Sequence, residues 1–119
     1  EVPDEDFGDE TVEFIDVHDK PLFLGEIPDI SFRKFAYEKV TYPDEAIDNG
    51  LEGVVVLQFI VDKNGAITNI ETIGSAHPVL RKEAIRILKM SSGKWTPGKQ
   101  RNRPVNVIYR FPLIFRLAD

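Results

Sequence analysis

The sequence predicts an α+β domain, a two-layer sandwich in which an antiparallel sheet of about three to four strands is covered by helices. Residues 54–61 are almost wholly apolar and residues 66–73 are β-prone, and the polar stretch between them ends in Asn64-Gly65, which is typical of a β-hairpin. A third run near the C-terminus alternates apolar with polar residues, as a strand does. Apolar residues at helical spacing lie on both sides of the hairpin, so helices can cover the sheet.

The first apolar run is expected to form the central strand of this sheet. Val55, Leu57 and Val61 fall on one face of the strand, and Val54 and Ile60 fall on the other. A strand that is apolar on both faces is usually central or covered on both sides. The rest of the chain must therefore supply the cover.

Length and composition indicate one ordinary globular domain. The chain has 119 residues, of which 42% are hydrophobic and 29% are charged, enough for one modest core. Charge is unevenly distributed, because residues 1–20 carry nine acidic side chains and one basic one, whereas residues 81–119 carry ten basic and two acidic ones. The basic end is either a solvated face or a surface that meets an acidic partner. The absence of cysteine excludes a disulfide framework and thiol catalysis.

The N-terminal part of the chain differs from the rest. Residues 1–20 are acidic and rich in turn-forming types, and we expect them to form an acidic linker or a partly ordered N-terminal segment. Within this segment, residues 12–17 alternate loosely and permit a short edge strand. The domain itself is expected to span residues 21–119. Because the chain starts without Met, we interpret it as part of a longer protein.

Three amphipathic helices are predicted. Ser31 is a candidate N-cap for a helix over residues 32–39, whose apolar positions recur at helical spacing. Pro43 suits the first position of a short second helix, and Pro78 opens the clearest helix, which has basic residues on its polar face. His77, just before that helix, is expected to be a helix-entry residue rather than a general base.

The C-terminal strand is predicted to lie at an exposed edge of the sheet. Its apolar residues Val105, Val107, Tyr109 and Phe111 alternate with Asn106, Ile108 and Arg110. Pro112 cannot donate a hydrogen bond to a ladder, so this region is expected at a sheet edge or at a strand break.

The sequence offers little that favours catalysis. His18 and His77 are the only histidines, and a metal site would need distant carboxylates. Glu83 could be a surface group as readily as an acid. Gly-rich phosphate loops, nucleophile elbows and paired-histidine helix motifs are absent from the sequence. We therefore predict no enzyme activity, no metal and no cofactor.

Nucleic-acid binding is not predicted either. Trp95 and Tyr109 lie near basic residues, but the net charge of the chain is −5 and the aromatic residues do not recur at strand spacing. Trp95, which stands beside Pro97, is expected instead to pack a loop onto the core.

Several motifs in one order resemble a known family. The chain has Tyr42-Pro43-x-x-Ala46, the Asn64-Gly65 hairpin after an apolar strand, and Trp95-x-Pro97-Gly98-Lys99. The remaining matching positions are Gly50, Gly53, Pro78, Leu80, Glu83-Ala84, Val105-x-Val107, Pro112 and Phe115-x-Leu117. Over residues 21–117 these features resemble the C-terminal domain of TonB-family energy transducers, in particular the form found in Bacteroidetes.

The resemblance implies a periplasmic domain that is anchored to the inner membrane by an N-terminal helix outside this sequence. In this family the domain binds the TonB box, a short N-terminal segment of outer-membrane transporters, and passes on force from a proton-driven inner-membrane complex to open the transporter for substrate uptake. The box adds as a strand to the sheet edge formed by the last part of the domain. The alternative is a similar sensing or docking domain attached to another membrane protein, such as a metallopeptidase.

Carried over by position, the partner-binding edge consists of Val105, Asn106, Val107, Ile108, Tyr109, Arg110 and Phe111. Backbone hydrogen bonds along such an edge supply affinity with loose sequence demands, as a transducer that serves several transporters requires. Arg101, Arg103 and Arg110 would favour acidic residues around a box. A free edge also allows a homodimer formed by strand exchange.

Overall fold

The computed structural model describes residues 10–117. In chain order the elements are β1 (Thr11–Glu13), β2 (Leu22–Phe23), α1 (Pro28–Lys39), α2 (Asp44–Asp48), β3 (Gly53–Val61), β4 (Ile67–Ile73), α3 (Pro78–Met90), β5 (Trp95–Thr96), β6 (Gly98–Gln100) and β7 (Arg103–Phe115). Residues from the helices and from one face of the sheet share one buried core. The predicted α+β class is confirmed.

Two long antiparallel strands form the middle of the main sheet. The strand order is β1-β7-β3-β4, and β6 pairs with the beginning of β7. β3 and β7 are in register from Gly53↔Phe115 to Val61↔Val107. β3 therefore lies inside the sheet, as its two apolar faces predicted. A separate small ladder joins β2 to β5.

The β3–β4 hairpin is organised by Asp62 as well as by Gly65. One carboxylate oxygen of Asp62 accepts from the N–H groups of Asn64 at 2.8 Å and Ala66 at 3.0 Å. The N–H of Gly65 donates to the carbonyl of Asp62 at 2.9 Å, and Gly65 has φ +82°, a left-handed conformation that glycine adopts without strain. The hairpin predicted from Asn-Gly is confirmed.

α1 begins earlier than predicted, at Pro28 rather than after Ser31. Proline suits the first helical position because the N–H that it lacks would have no partner inside the helix. Ser31 is therefore not the N-cap, and its hydroxyl donates instead to the carbonyl of Ile27 at 3.0 Å. Asp29 adds a carboxylate to the first turn, where the helix dipole favours negative charge.

α3 begins at Pro78, as predicted, and His77 is its N-cap. Nδ1 of His77 accepts from the N–H of Val79 at 3.1 Å, which confirms its role in helix entry. In α2, by contrast, Pro43 precedes the first helical residue rather than occupying that position.

The core between the helices and the sheet is largely aromatic. Phe32 of α1 lies at its centre, with the ring centroids of Phe23, Phe111 and Trp95 at 5.4, 5.0 and 5.4 Å. Trp95 is 4% exposed, and its indole N–H donates to the hydroxyl of Ser91 at 3.0 Å, so its buried polar atom has a partner. The prediction that Trp95 packs a loop onto the core is confirmed.

The N-terminal segment joins the sheet through β1. This strand runs parallel to β7, with Val12 opposite Val107, whereas the sequence predicted an antiparallel sheet. Four residues later, Val17 is buried against Val105 and Val107. Residues 1–9, which belong to the predicted acidic linker, lie outside the described residues.

Gly65→Ala is expected to destabilise the domain by about 2 kcal/mol or more. A Cβ at this position would lie 2.4 Å from the carbonyl oxygen of Trp95, at a φ of +82°. Gly50→Ala is the control, because Gly50 has φ +63° but no atom within 4 Å of an added Cβ, so only a backbone cost of about 1 kcal/mol is expected. Urea unfolding followed by circular dichroism measures both losses. Equal losses would show that Trp95 does not restrict Gly65.

Candidate partner-binding edge of the sheet

The backbone of β7 presents alternate residues to its two sides. The N–H of Asn106 donates to the carbonyl just before β1 at 3.3 Å, and the carbonyl of Ile108 accepts from the N–H of Phe14 at 3.0 Å. Farther along, the N–H of Ile114 donates to the hydroxyl of Tyr37 at 3.1 Å. Because backbone groups alternate in direction along a strand, the even-numbered residues of β7 direct their N–H and C=O groups away from β3.

Much of this outward side is already covered. β1 pairs with residues 106–108 on this side, and the hydroxyl of Tyr37 covers one position near the end of the strand. β6 pairs with residues 103–105 on the opposite side of β7, the side of β3, because Lys99 directs its own backbone groups to Asp19 and not to β7. Between β1 and the position covered by Tyr37, the described residues Arg110 and Pro112 direct backbone groups to this side without a partner. The prediction that this strand lies at an exposed edge therefore applies to its second half, because β1 covers the outward side at residues 106–108.

Pro112 does not break the strand. It lies opposite Val56 within the continuous β3–β7 ladder, which runs on to Phe115. The backbone nitrogen of Pro112 points away from β3, like those of the other even-numbered residues. The N–H that proline lacks therefore removes no hydrogen bond to β3. Proline also prevents a full ladder on the open side, which limits uncontrolled strand pairing there.

The predicted partner-binding residues divide into two sets. Val105, Val107, Tyr109 and Phe111 point into the buried side of the sheet and are at most 5% exposed. Asn106, Ile108 and Arg110 lie on the opposite face and are half-buried or exposed. A partner strand would therefore meet the backbone of β7 and the side chains of the second set only.

Arg110 connects three strands on this outer face. Its guanidinium lies 2.9 Å from a carboxylate oxygen of Glu13 in β1, and its Nε donates to the side-chain oxygen of Gln58 in β3 at 2.8 Å. Both ion-paired side chains are about half exposed, so the pair contributes no more than about 1 kcal/mol. Arg110 thus already faces a carboxylate supplied by the chain's own N-terminal segment.

Arg101 lies in the exposed turn after β6, and Arg103 is the first residue of β7. Gln100 pairs with Arg103, so Arg101 and Asn102 form a two-residue loop, with φ values of 52° and 65°. Positive φ at both positions is the geometry of a type I′ hairpin turn. The arginines predicted to attract acidic residues therefore lie on both sides of the covered part of β7.

α1 supports β7 from the buried side. The hydroxyl of Tyr109 donates to a carboxylate oxygen of Asp29 in the first turn of α1. Burial raises the pKa of Tyr109, and the hydrogen bond to Asp29 raises it further, so the phenol stays protonated. The guanidinium of Arg33 lies 5.0 Å from the ring centroid of Phe111, a favourable cation–π contact.

The opposite edge of the sheet, β4, is less suited to strand addition. Asn69, in the middle of β4, has φ 52°, and the β3–β4 register shifts between Gln58 and Ile60. Such an irregularity twists an edge and interrupts its row of backbone hydrogen-bonding groups. The β7 side is the better candidate for binding a partner strand.

Glu83, which the sequence left open as a surface group or an acid, has a structural position. It is 8% exposed and accepts from the guanidinium of Arg86 at 2.6 and 2.7 Å and from the N–H of Thr41 at 2.7 Å. Burial alone raises the pKa of Glu83, but the hydrogen bonds from Arg86 and Thr41 outweigh it and lower the pKa. Arg86 also donates to the carbonyl of Lys39 at 3.1 Å, so this cluster fastens α3 to the end of α1.

A groove of about 960 Å³ lies beside this cluster, between α3 and the α1–α2 connection, and Arg81 and Lys89 are among the basic residues that line it.

Among residues 10–117, no group of three or more His, Cys, Asp or Glu side chains could hold a metal ion. His18 has a side chain 77% exposed, next to Asp19. No helix in the same part of the chain has the length and apolar character needed to cross a membrane.

The fold and the partly open strand are typical of a small interaction domain, and comparison with protein families shows to which family the chain belongs. The family described as Gram-negative bacterial TonB protein C-terminal matches residues 38–117, which is more than half of the chain. The chain therefore belongs to the TonB C-terminal domain family, as its motifs predicted. Domains of this family are periplasmic, non-enzymatic interaction domains that contact outer-membrane transporters. The comparison with curated proteins gave no match.

Solved structures agree on the fold. The shorter of two solution structures of the Helicobacter pylori TonB C-terminal domain aligns with a TM-score of 0.57 at 20% identity, over 76% of this chain and 94% of that one. The longer one aligns with a TM-score of 0.60 at 22% identity, over 73% and 78% of the two chains. The closer assignment to the form found in Bacteroidetes stays a prediction.

Tyr37→Phe is expected to expose one more backbone position of β7. Without the hydroxyl, the N–H of Ile114 loses its partner, and its hydrogen exchange should accelerate about tenfold. The amide of Leu113 points to β3 and serves as the internal control, with no change expected. Amide exchange measured by NMR distinguishes the two. Equal acceleration at Leu113 and Ile114 would indicate general destabilisation rather than loss of a local cover.

Glu83→Gln is expected to lower the free energy of unfolding at pH 7 by about 2 kcal/mol, because charge-assisted hydrogen bonds are lost. The lowered pKa of Glu83 stabilises the folded state above the ordinary carboxyl pKa of 4.5, and this contribution disappears as the pH falls through the folded-state value. The difference between wild type and variant should therefore shrink on acidification. Urea unfolding at several pH values measures it, with Glu38→Gln on the exposed face of α1 as the control. A pH-independent difference would contradict this role.

Proposed function

We propose that this chain is the C-terminal domain of a TonB-like energy transducer that binds the TonB box of outer-membrane transporters by strand addition along β7. The domain works in the periplasm, connected to an inner-membrane anchor and to a proton-driven complex through residues N-terminal to this sequence. Pulling on the bound box opens the transporter for substrate uptake. Family membership supports the general role, and the geometry of β7 supports the binding mode.

The observation that carries this proposal is the unsatisfied outward backbone of β7 at Arg110 and Pro112. Both residues are exposed, so their open backbone groups face solvent and are accessible to an incoming strand, which can pair with them. The side chains beside these groups belong to the outer face and tolerate variation in the partner. Such an edge suits a domain that must accept several related segments.

Arg101, Arg103 and Arg110 give the edge a positive character. Acidic residues in the partner segment would be attracted to it, and this attraction would weaken as salt is added. Arg110 already contacts one carboxylate, that of Glu13, at 2.9 Å, which supports its ability to hold another.

The pairing of β7 with β3 suits a domain that transmits force. The two strands stay in register from Val107 to Phe115, against Val61 to Gly53, in the middle of the sheet. A load along the axis of β7 is shared by all hydrogen bonds of this ladder, because they lie perpendicular to the strands. α1 reinforces β7 through the Tyr109–Asp29 hydrogen bond.

The first experiment is an NMR titration of the ¹⁵N-labelled domain with peptides from the N-termini of outer-membrane transporters. Shifts should cluster on residues 105–111, with new protection of the amide of Arg110. The titration is run at a protein concentration at which sedimentation gives a monomer, because a homodimer formed through the same edge would compete with the peptide.

Absence of shifts with every peptide, at millimolar concentrations, would overturn the proposed function. The sensing or docking role in another membrane protein would then be the better proposal. Shifts confined to the groove lined by Arg81 and Lys89 would retain a binding role but contradict strand addition.

Arg103→Ala is expected to weaken peptide binding about two- to fivefold at low salt and to reduce the salt dependence of the affinity. Arg81→Ala on α3 removes the same charge far from β7 in sequence and should leave the affinity unchanged. Isothermal titration calorimetry at several NaCl concentrations measures both variants. An unchanged affinity and salt slope in Arg103→Ala would remove Arg103 from the proposed site.

A further inference from the structure

A strand of the chain itself already fills the edge that the proposed function assigns to a partner. β1 pairs with residues 106–108 of β7, and only the outward groups of Arg110 and the carbonyl of Pro112 remain open beyond it among the described residues. While β1 is in place, these groups allow only a very short ladder. If β1 leaves, the outward N–H and C=O groups of Asn106, Ile108 and Arg110 form one continuous run, long enough to pair with a strand.

We propose that β1 is a built-in competitor, so that residues 10–14 must detach from β7 before a partner strand can bind there. This inference rests on the proposed function, because it concerns the same edge. The incoming strand would replace what β1 supplies, namely apolar side chains at the positions of Val12 and Phe14 and, at the position of Glu13, a carboxylate that pairs with Arg110.

β1 is held by contacts that suit reversible binding. The strand has three residues and its side chains are exposed or half-buried. Its ion pair, between Glu13 and Arg110, is half exposed. Val12 and the next residue after the strand, Phe14, are only partly buried, and the ring centroid of Phe14 lies 4.6 Å from that of Tyr109. Short segments with few buried contacts open at a much lower free energy than the core of a domain.

The chain after β1 is fastened separately, so β1 can leave without unfolding the domain. Val17 is 2% exposed, and Asp19 and Lys99 exchange two backbone hydrogen bonds of 2.9 Å each. The ammonium of Lys20 donates to the carbonyl of Val17 at 2.9 Å. The turn that follows Glu13 therefore acts as the boundary between a removable strand and a fixed anchor.

The competition has a defined thermodynamic effect. A partner binds only the fraction of molecules in which β1 is detached, so the apparent affinity falls by that fraction. Changes that hold β1 in place should weaken partner binding, and changes that loosen β1 should strengthen it. An ordinary contact residue would show the reverse behaviour, since its removal weakens binding.

A reversible disulfide tests the first direction. The chain contains no cysteine, so Glu13→Cys/Ile108→Cys introduces the only pair. These two positions are register partners on neighbouring strands, and Cα atoms about 4.8 Å apart can be joined by a disulfide. Affinity for a synthetic peptide from the N-terminus of an outer-membrane transporter is measured by titration calorimetry for the oxidised and the reduced forms of the same protein.

The oxidised form is expected to bind at least about tenfold more weakly than the reduced form. Equal binding by both forms would overturn the inference and leave the proposed function intact, because the partner would then bind beside an undisturbed β1. No binding by wild type or by either form would overturn the proposed function and this inference with it.

Phe14→Ala tests the second direction and does not depend on the cysteines. Loss of the contact with Tyr109 loosens β1, so peptide affinity should increase about threefold or more. Ile15→Ala is the control, because Ile15 is 82% exposed in the following turn and should not change the affinity. Weaker or unchanged binding by Phe14→Ala would contradict a competing β1, even if the reduced cysteine variant were impaired.

Discussion

The structure depends on one constraint, the need of β7 to satisfy its backbone on two sides while burying alternate side chains. Its inward hydrogen-bonding groups pair with β3 along nine residues of that strand. Its odd-numbered side chains fill the core below α1, where Phe111 meets Phe32 with ring centroids 5.0 Å apart. The outward N–H and C=O groups of β7 can bond only to short elements from distant parts of the chain. The proposed function depends on which of these groups remain open.

An open strand in a small domain is both useful and hazardous, because an unpaired row of backbone groups attracts other strands without discrimination. The domain limits this hazard with β1, with the hydroxyl of Tyr37 and with a proline in the open stretch. The covers differ in strength. Tyr37 covers one position from α1, whereas β1 covers residues 106–108 through a few exposed contacts, so β1 is the cover that a partner strand could most readily replace.

Local patterns predicted the elements that local residues determine. The Asn-Gly hairpin, the start of α3 at Pro78 and the buried Trp95 were all predicted, because each depends on neighbouring residues or on simple periodicity. α1 was misplaced because Pro28 and Ser31 are both valid start signals, and only the tertiary structure selects between them. The cover of β7 by β1 could not be predicted, since a parallel pairing of three residues across almost the whole chain leaves no periodic signal. The alternation of residues 105–111 predicted the two faces of the strand but not what lies along its edge.

Hydrogen exchange in the unbound domain tests most directly whether the side of β7 away from β3 is closed by a removable strand. The amide of Asn106 donates toward β1, whereas that of Val107 points to β3. A removable β1 predicts that Asn106 exchanges through a local opening of low free energy, while Val107 exchanges only when the whole domain unfolds. Identical opening free energies for the two amides would mean that β1 separates from β7 only when the whole domain unfolds, so β1 could not be exchanged for a partner strand.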